Sequence, residues 1–195
     1  MTQDNNTRDA RKWKVLKSEY LIRRPWLTAR RDTVQLPNGV VHPEYYVLEY
    51  PTWVNVIARR KEDGLFVMVE QYRHGLGETM TELCAGVAEE GETPEEAARR
   101  ELAEETGYTG GRWRLLAVTS ANPGSLSNLS YTFVAEDVEL TQTQHLDRTE
   151  DLSVKLLTSG DVARLIESDS LKQSLMTNGL MRYMFENELH RLAKE

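Results

Sequence analysis

The chain has 195 residues, 39% of them hydrophobic, one cysteine and a formal charge of -7. That apolar content can bury a core in one domain, or one domain with a small appendage. The negative balance argues against a nucleic-acid partner, because phosphate backbones are bound chiefly by Lys and Arg; a lone Cys84 without a Cys/His cluster excludes an intrachain disulfide and a zinc site of ordinary spacing.

In chain order, the opening MTQDNNTRDARKWK is polar and carries no apolar signal core, and no later run approaches the roughly 20 apolar residues of a membrane span. The expectation is a cytoplasmic protein without membrane association. From residue 13 to 73, β-branched and aromatic residues alternate with turn signals at Pro37-Asn38-Gly39 and Lys61-Glu62-Asp63-Gly64. This predicts antiparallel strands over 14–22, 27–36, 45–50, 53–60 and 65–73, with a domain boundary near Pro51. Residues 1–50 hold nine Lys/Arg against six Asp/Glu, a balance of +3 that leaves -10 for residues 51–195. The two portions are expected to have different jobs.

Thr93-Pro94-Glu95-Glu96 combines an N-cap Thr, Pro at the first helical position and Glu three residues after the cap, so a helix is predicted over 94–106 with Gly107 as its stop. Strands over 113–120, 130–136 and 152–157 would complete a mixed sheet. Helical spacing returns over 161–167 and along Met176, Leu180, Met181, Met184, Phe185, Leu189 and Leu192, a stripe suited to core or dimer packing.

The helix over 94–106 puts Glu101 and Glu105 four residues apart on one face, with Glu104 three from Glu101. Each like-charge pair costs roughly 0.2 to 0.5 kcal/mol in an isolated helix, and acids near the C-terminal end also oppose the macrodipole. Clustered carboxylates suit a hard divalent ion, Mg²⁺ or Mn²⁺, that prefers oxygen ligands. The plain alternative is a solvated acidic face with Arg100 and Glu96 as ion-pair partners.

The spacing around this helix bears on that choice. Gly86 is followed by Glu92, then by Arg100, Glu101, Leu102, Glu104, Glu105 and Gly107, all within the 23 residues from Gly86 to Tyr108. Eight fixed positions at fixed spacing resemble the complete Nudix box, with Tyr108 standing where the family usually has an aliphatic residue. The resemblance implies an α+β fold, a Nudix α/β/α sandwich with a mixed sheet, here preceded by a small N-terminal antiparallel β-domain: residues 1–50 for the β-domain, 51–195 for the Nudix domain. It also implies a Mg²⁺-dependent (or Mn²⁺-dependent) pyrophosphatase, with metal ligands Glu101, Glu104, Glu105 and the backbone carbonyl of Ala85, while Arg100 and Glu92 brace the loop.

Outside the box, Gln71-Tyr72-Arg73, the lead-in Glu82-Leu83-Cys84-Ala85-Gly86, and Pro123 sixteen residues after Gly107 resemble the ADP-ribose pyrophosphatase branch. The implied substrate is a nucleoside-diphosphate sugar, ADP-ribose cut to AMP and ribose 5-phosphate, with GDP-mannose or another sugar nucleotide as the alternative and a non-catalytic sugar-nucleotide sensor as a third reading. Arg73 has the planar donor fork that suits a diphosphate, with a surface ion pair as its plain alternative. Glu82 is a candidate for a ribose hydroxyl or for bracing the metal loop. Trp26 is placed by the resemblance near the nucleobase, with ordinary packing as the other reading. The branch implies a homodimer through the N-terminal domain and a water-activating glutamate in a loop after the sheet, here Glu150; Glu104 and Glu105 complete the candidate catalytic set, and Pro123 the candidate substrate-binding set. Three positions depart from the branch: Cys84 replaces a proline, Asn122 stands where Ser often precedes Pro123, and Asn128 replaces an acid.

Overall fold

Short-range turn chemistry sets up the first part of the chain. In the computed structural model, which describes residues 10–189, β1 (Lys14–Arg24) and β2 (Leu27–Gln35) pair antiparallel around a two-residue turn at Pro25-Trp26. The link from β2 to β3 (Val41–Glu49) closes on Gly39, whose φ of 86° is the left-handed conformation the turn demands. Leu36 and Val40 are bonded across it, and the Asn38 side chain accepts from Val40 N–H. Strand β3 starts four residues earlier than the expected residue 45, so Pro43 lies inside it. This is tolerated because β3 is an edge strand of the sheet β1-β2-β3 and its register with β2 slips between Asp32 and Val34, a bulge beside the residue that lacks an N–H.

The described residues form two compact units. One comprises residues 10–50 and the loop 122–128; the other comprises 51–121 and 129–189. The loop 122–128 joins the first unit through backbone bonds from Leu48 N–H to Ser125 O and from Ser127 N–H to Leu48 O, and through the Tyr45 hydroxyl, which donates to Gly124 O.

The second unit holds a seven-stranded mixed sheet: β4 (Trp53–Arg60), β5 (Phe66–Arg73), β6 (Glu78–Val87), β7 (Tyr108–Thr109), β8 (Arg112–Thr119), β9 (Ser130–Leu140) and β10 (Leu152–Leu157). The order is β10-β5-β6-β4-β9-β7 with β8 on β9, and only β4 and β9 run parallel. Strand β6 has little strand signal of its own, because Glu78, Thr79, Thr81 and Glu82 interrupt any apolar alternation; its pairing with β5 and β4 makes it a strand.

Helix α1 (Pro94–Thr106) packs Ala97, Ala98 and Leu102 on one sheet face, against Val54, Val56, Cys84 and Phe133. Helices α2 (Ser159–Glu167) and α3 (Ser174–Glu186) pack Val162, Met176, Leu180 and Met184 on the other, against Ile57, Phe66, Met68 and Leu83. The result is the three-layer α/β/α sandwich with an antiparallel β-sheet ahead of it. Of the predicted apolar stripe, Met181 and Phe185 face solvent, Leu189 packs on the core beyond α3, and Leu192 lies outside the described residues. Among the described residues, no helix is long and apolar enough to cross a membrane.

Candidate active site

Helix α1 is fixed at both ends by its own sequence. The Thr93 hydroxyl accepts from Glu96 N–H at 3.3 Å while the Glu96 carboxylate accepts from Thr93 N–H at 2.9 Å, with Pro94 in the first turn. Gly107 stops it at φ 75°, where a Cβ would also meet Gln142 O at 2.2 Å. The carbonyls left over at the helix end are taken up by the following loop: Gln142 and Gln144 side chains donate to Ala103 O and Glu105 O, and His145 N–H donates to Glu104 O. Those bonds tie the loop that bears Glu150 to the carboxylate helix.

One face of α1 closes against the end of β6. A Cβ on Gly86 would lie 2.0 Å from Glu101 Oε1, so only glycine admits that carboxylate. Ala85 N–H donates to Glu105 Oε2 at 3.2 Å. Arg100 organises the rest: Nη1 donates to Glu101 Oε1 and Glu104 Oε2, both at 3.0 Å, Nη2 to Val87 O at 3.0 Å, and Nε and Nη2 to the two oxygens of Glu92 at 3.0 and 3.1 Å. Hydrogen bonding to Arg100 holds Glu92 below the usual carboxylate range. Glu96, the other candidate ion-pair partner, is committed to the cap.

The electrostatics separate the acids. Burial pushes the Glu105 carboxyl up to about 7; hydrogen bonds from the Cys84 thiol and Ala85 N–H oppose this, while the charges of Glu101 and Glu150 add to it. Burial also raises Glu101, against the pull of Arg100 and with the charges of Glu104 and Glu150. Cys84, the residue in place of proline, is fully buried next to Glu105 and its thiol is itself pushed up by burial. Among the described residues, no three His, Cys, Asp or Glu side chains stand together as a metal-ready cluster; Arg100 engages Glu101 and Glu104, and Glu105 turns to Ala85. The donor set nevertheless fits a divalent cation. All donors are oxygens, burial raises the carboxyls of Glu105 and, even with Arg100 bonded to it, of Glu101, and the missing Gly86 side chain lets Glu101 reach the backbone of β6.

Beyond Ala85, Gly86 and Val87 opens a cavity of about 550 Å³, with Arg73 and Glu82 on its wall. Glu82 is 1% exposed, and its Oε2 accepts from Arg73 Nε at 2.8 Å, Arg73 Nη2 at 2.6 Å and Gln71 Nε2 at 3.2 Å. The geometry therefore makes Glu82 the brace of Arg73, and leaves Arg73 half-exposed on the cavity's wall. Asn55, buried and bonded to Ser130 Oγ at 2.8 Å, and Lys172, just ahead of α3, line the same cavity. Neither carries a sequence signal, since each reaches the cavity by tertiary folding. Trp26, at the β1–β2 turn, is 75% exposed, and Pro123 belongs with it to the first unit. Glu150 N–H bonds to Asp147 O, and Asp147 N–H to the Glu150 carboxylate, which fixes a local turn.

Comparison with known proteins points the same way. A family model described as NUDIX domain matches residues 49–176, and one described as nucleoside diphosphate sugar hydrolase N-terminal domain matches residues 13–48. The chain is 36% identical, over 70% of its length and 74% of the relative's, to an ADP-ribose pyrophosphatase of Bacillus subtilis. It is 32% identical, over 83% of its length and 86% of the relative's, to a methanol dehydrogenase activator of Bacillus methanolicus. A crystal structure of an ADP compounds hydrolase superposes with a TM-score of 0.79 at 22% identity, covering 91% of this chain and 95% of that one, which is a likeness of fold.

Proposed function

The chain belongs to the Nudix family and is a Nudix hydrolase, and from that premise we propose that it cleaves the diphosphate bridge of ADP-ribose to AMP and ribose 5-phosphate with Mg²⁺ as its divalent cation. The observation that carries this reading is the placement of Glu101 and Glu105 against Gly86 and Ala85 of β6, a stretch that shares the lining of a cavity of small-molecule size with the diphosphate-suited Arg73. Glu101, Glu104, Glu105 and Ala85 would hold the metal, which when bound neutralises phosphate charge and lowers the pKa of water.

The chain's own groups supply the rest. Arg73, held flat by Glu82, presents its remaining donors to the diphosphate oxygens. Arg100 keeps Glu101 and Glu104 oriented by charge-assisted bonds. Glu150, whose charge is felt at both Glu101 and Glu105, is the proposed base that takes the proton of the attacking water. Attack forms one phosphorus–oxygen bond as the bridging one breaks, giving the two monophosphates.

The family description of residues 13–48 speaks of nucleoside diphosphate sugars without a base, which keeps GDP-mannose as the second substrate. Strand β1 is exposed along its whole length, with Val15, Leu16, Tyr20, Leu21 and Ile22 open. Such a face supports its burial against a second copy of the chain, hence a homodimer. The wholly buried thiol of Cys84 suits a cytoplasmic setting. The deciding experiment is a Mg²⁺-dependent turnover panel of ADP-ribose, ADP-glucose, GDP-mannose, NADH and diadenosine polyphosphates. ADP-ribose should give the highest kcat/KM; binding of a sugar nucleotide without turnover of any would make the protein a sensor.

A further inference from the structure

The active-site cavity has a wall that the reading above does not use. It is lined there by the start of α3 and the residue before its cap, with Lys172, Ser174, Leu175 and Met176. That segment is held in place by its own bonds: the Gln173 side chain accepts from Leu175 and Met176 N–H at 2.7 and 3.1 Å, and the Thr177 hydroxyl donates to Leu171 O and Gln173 O at 2.8 and 3.0 Å. Gln173, which also lines the cavity, has its side-chain oxygen committed to this cap. Lys172 is not so committed: its Nζ pairs with Glu78 on β6, and the two side chains are 45% and 49% exposed. An ion pair so open to water contributes little to stability, so Lys172 can change partner at little cost. Glu78 is also the cross-strand neighbour of Arg73, which brings Lys172 to the same rim as the diphosphate clamp.

We propose that Lys172 is a specificity-determining residue that donates hydrogen bonds to the hydroxyls of the substrate's sugar. The inference rests on the diphosphate-sugar reading given above. A diphosphate held between Arg73 and the Ala85–Val87 stretch shares the cavity with the α3 segment, which offers the group attached to it a rotatable ammonium with three donors, the Ser174 hydroxyl and the apolar flanks of Leu175 and Met176. That mixture matches a polyhydroxylated ring with an apolar face. A nucleobase would call for an aromatic platform; Trp53, the aromatic in the cavity's lining, stands on β4 beside Val87, and the α3 segment supplies none.

The test is steady-state kinetics of Lys172→Ala on ADP-ribose, inosine diphosphate ribose and the methyl ester of ADP, which keeps the diphosphate and lacks the sugar. KM for ADP-ribose should rise about tenfold, the scale of one charge-assisted hydrogen bond in a half-exposed site, with kcat changed less than about twofold because such a contact is present in ground and transition state alike. The preference for ADP-ribose over the methyl ester should collapse, while that for ADP-ribose over the inosine analogue stays. Glu78→Gln separates binding from strapping: it frees Lys172, so KM should stay level or fall. Equal losses on the ester and on ADP-ribose, a changed base preference, or a Glu78→Gln that mimics Lys172→Ala would each overturn the proposal. If the wild-type protein turned over no sugar nucleotide, the functional reading and this inference would fall together; normal wild-type turnover with an unaltered Lys172→Ala would remove the inference alone.

Discussion

Gly86 and Glu101 occupy nearly the same space: a Cβ on the glycine would sit 2.0 Å from the Glu101 Oε1 and 2.1 Å from its carboxyl carbon. Gly86→Ala must therefore push the Glu101 carboxylate away from β6, while the two apolar faces of the sheet are untouched. Overpacking of this kind costs about 1 to 3 kcal/mol. The variant should remain folded by circular dichroism, with the Mn²⁺ affinity and kcat/KM both lowered by roughly two decades. Metal affinity at the wild-type level would remove Glu101 from the ligand set.

Glu105→Gln takes a negative charge from a side chain that is 4% exposed and close enough to feel Glu101. Turnover should drop by orders of magnitude, on the order of 10² or more, through loss of a ligand. Thermal stability without added metal should hold or rise slightly, because like-charge repulsion is relieved. Near-full Mg²⁺-dependent activity would show that the assignment is wrong.

Arg73 serves both binding and stability, since it is the main partner of the buried Glu82. Arg73→Ala should raise KM and also destabilise by roughly 1 to 3 kcal/mol, less than the approximately 3 to 5 of a fully buried pair because Arg73 is 41% exposed. Arg73→Lys should recover much of the stability and little of the affinity, since a lysine lacks the fork. Urea melts alongside KM measurements separate the two; a Lys variant with wild-type KM would point to charge steering alone.

Trp26, exposed at its turn, should act on substrate affinity if the dimer brings it to a nucleobase. Trp26→Ala should then raise KM by roughly one to two decades with little change in kcat, since stacking on a base is worth about 1 to 3 kcal/mol. Sedimentation of the full-length protein should show a dimer, and the Trp26 effect should vanish with a monomeric enzyme. Removing residues 1–50 is a harsher test, because it also strips the loop 122–128 of its partner strand β3.

Asp161 accepts from Thr158 O–H and N–H at the start of α2 and pairs with Arg164, and these bonds hold its carboxyl below the ordinary value of 3.8. A depressed acid stabilises the fold above its unfolded pKa and loses that effect as pH falls through the folded one. The stability gap between wild type and Asp161→Ala should be level from about pH 8 to 5 and close below about pH 4. Chemical denaturation across that range checks it; a gap that persisted in acid would assign the effect to packing.

The sequence by itself determined what is local. The Thr93-Pro94-Glu96 cap, the Gly107 stop and the three- and four-residue spacing of Glu101, Glu104 and Glu105 act within one or two helical turns, so α1 and its acidic face are legible in the string of residues. The hairpin turns at Pro37-Asn38-Gly39 and Lys61-Gly64 are legible for the same reason. Tertiary structure decided whatever depends on partners far along the chain. Strand β6 becomes a strand through β5 and β4; Gly86 is required because Glu101, fifteen residues on, comes to rest against it; and Glu82 is claimed by Arg73 across a strand pair. The loop 122–128 leaves the sheet that bounds it for β3, and Lys172 reaches the cavity from the far end of the sequence. No spacing rule covers such contacts, because they arise from strand pairing and layer packing, whose geometry is set by the whole buried core and not by neighbours in sequence.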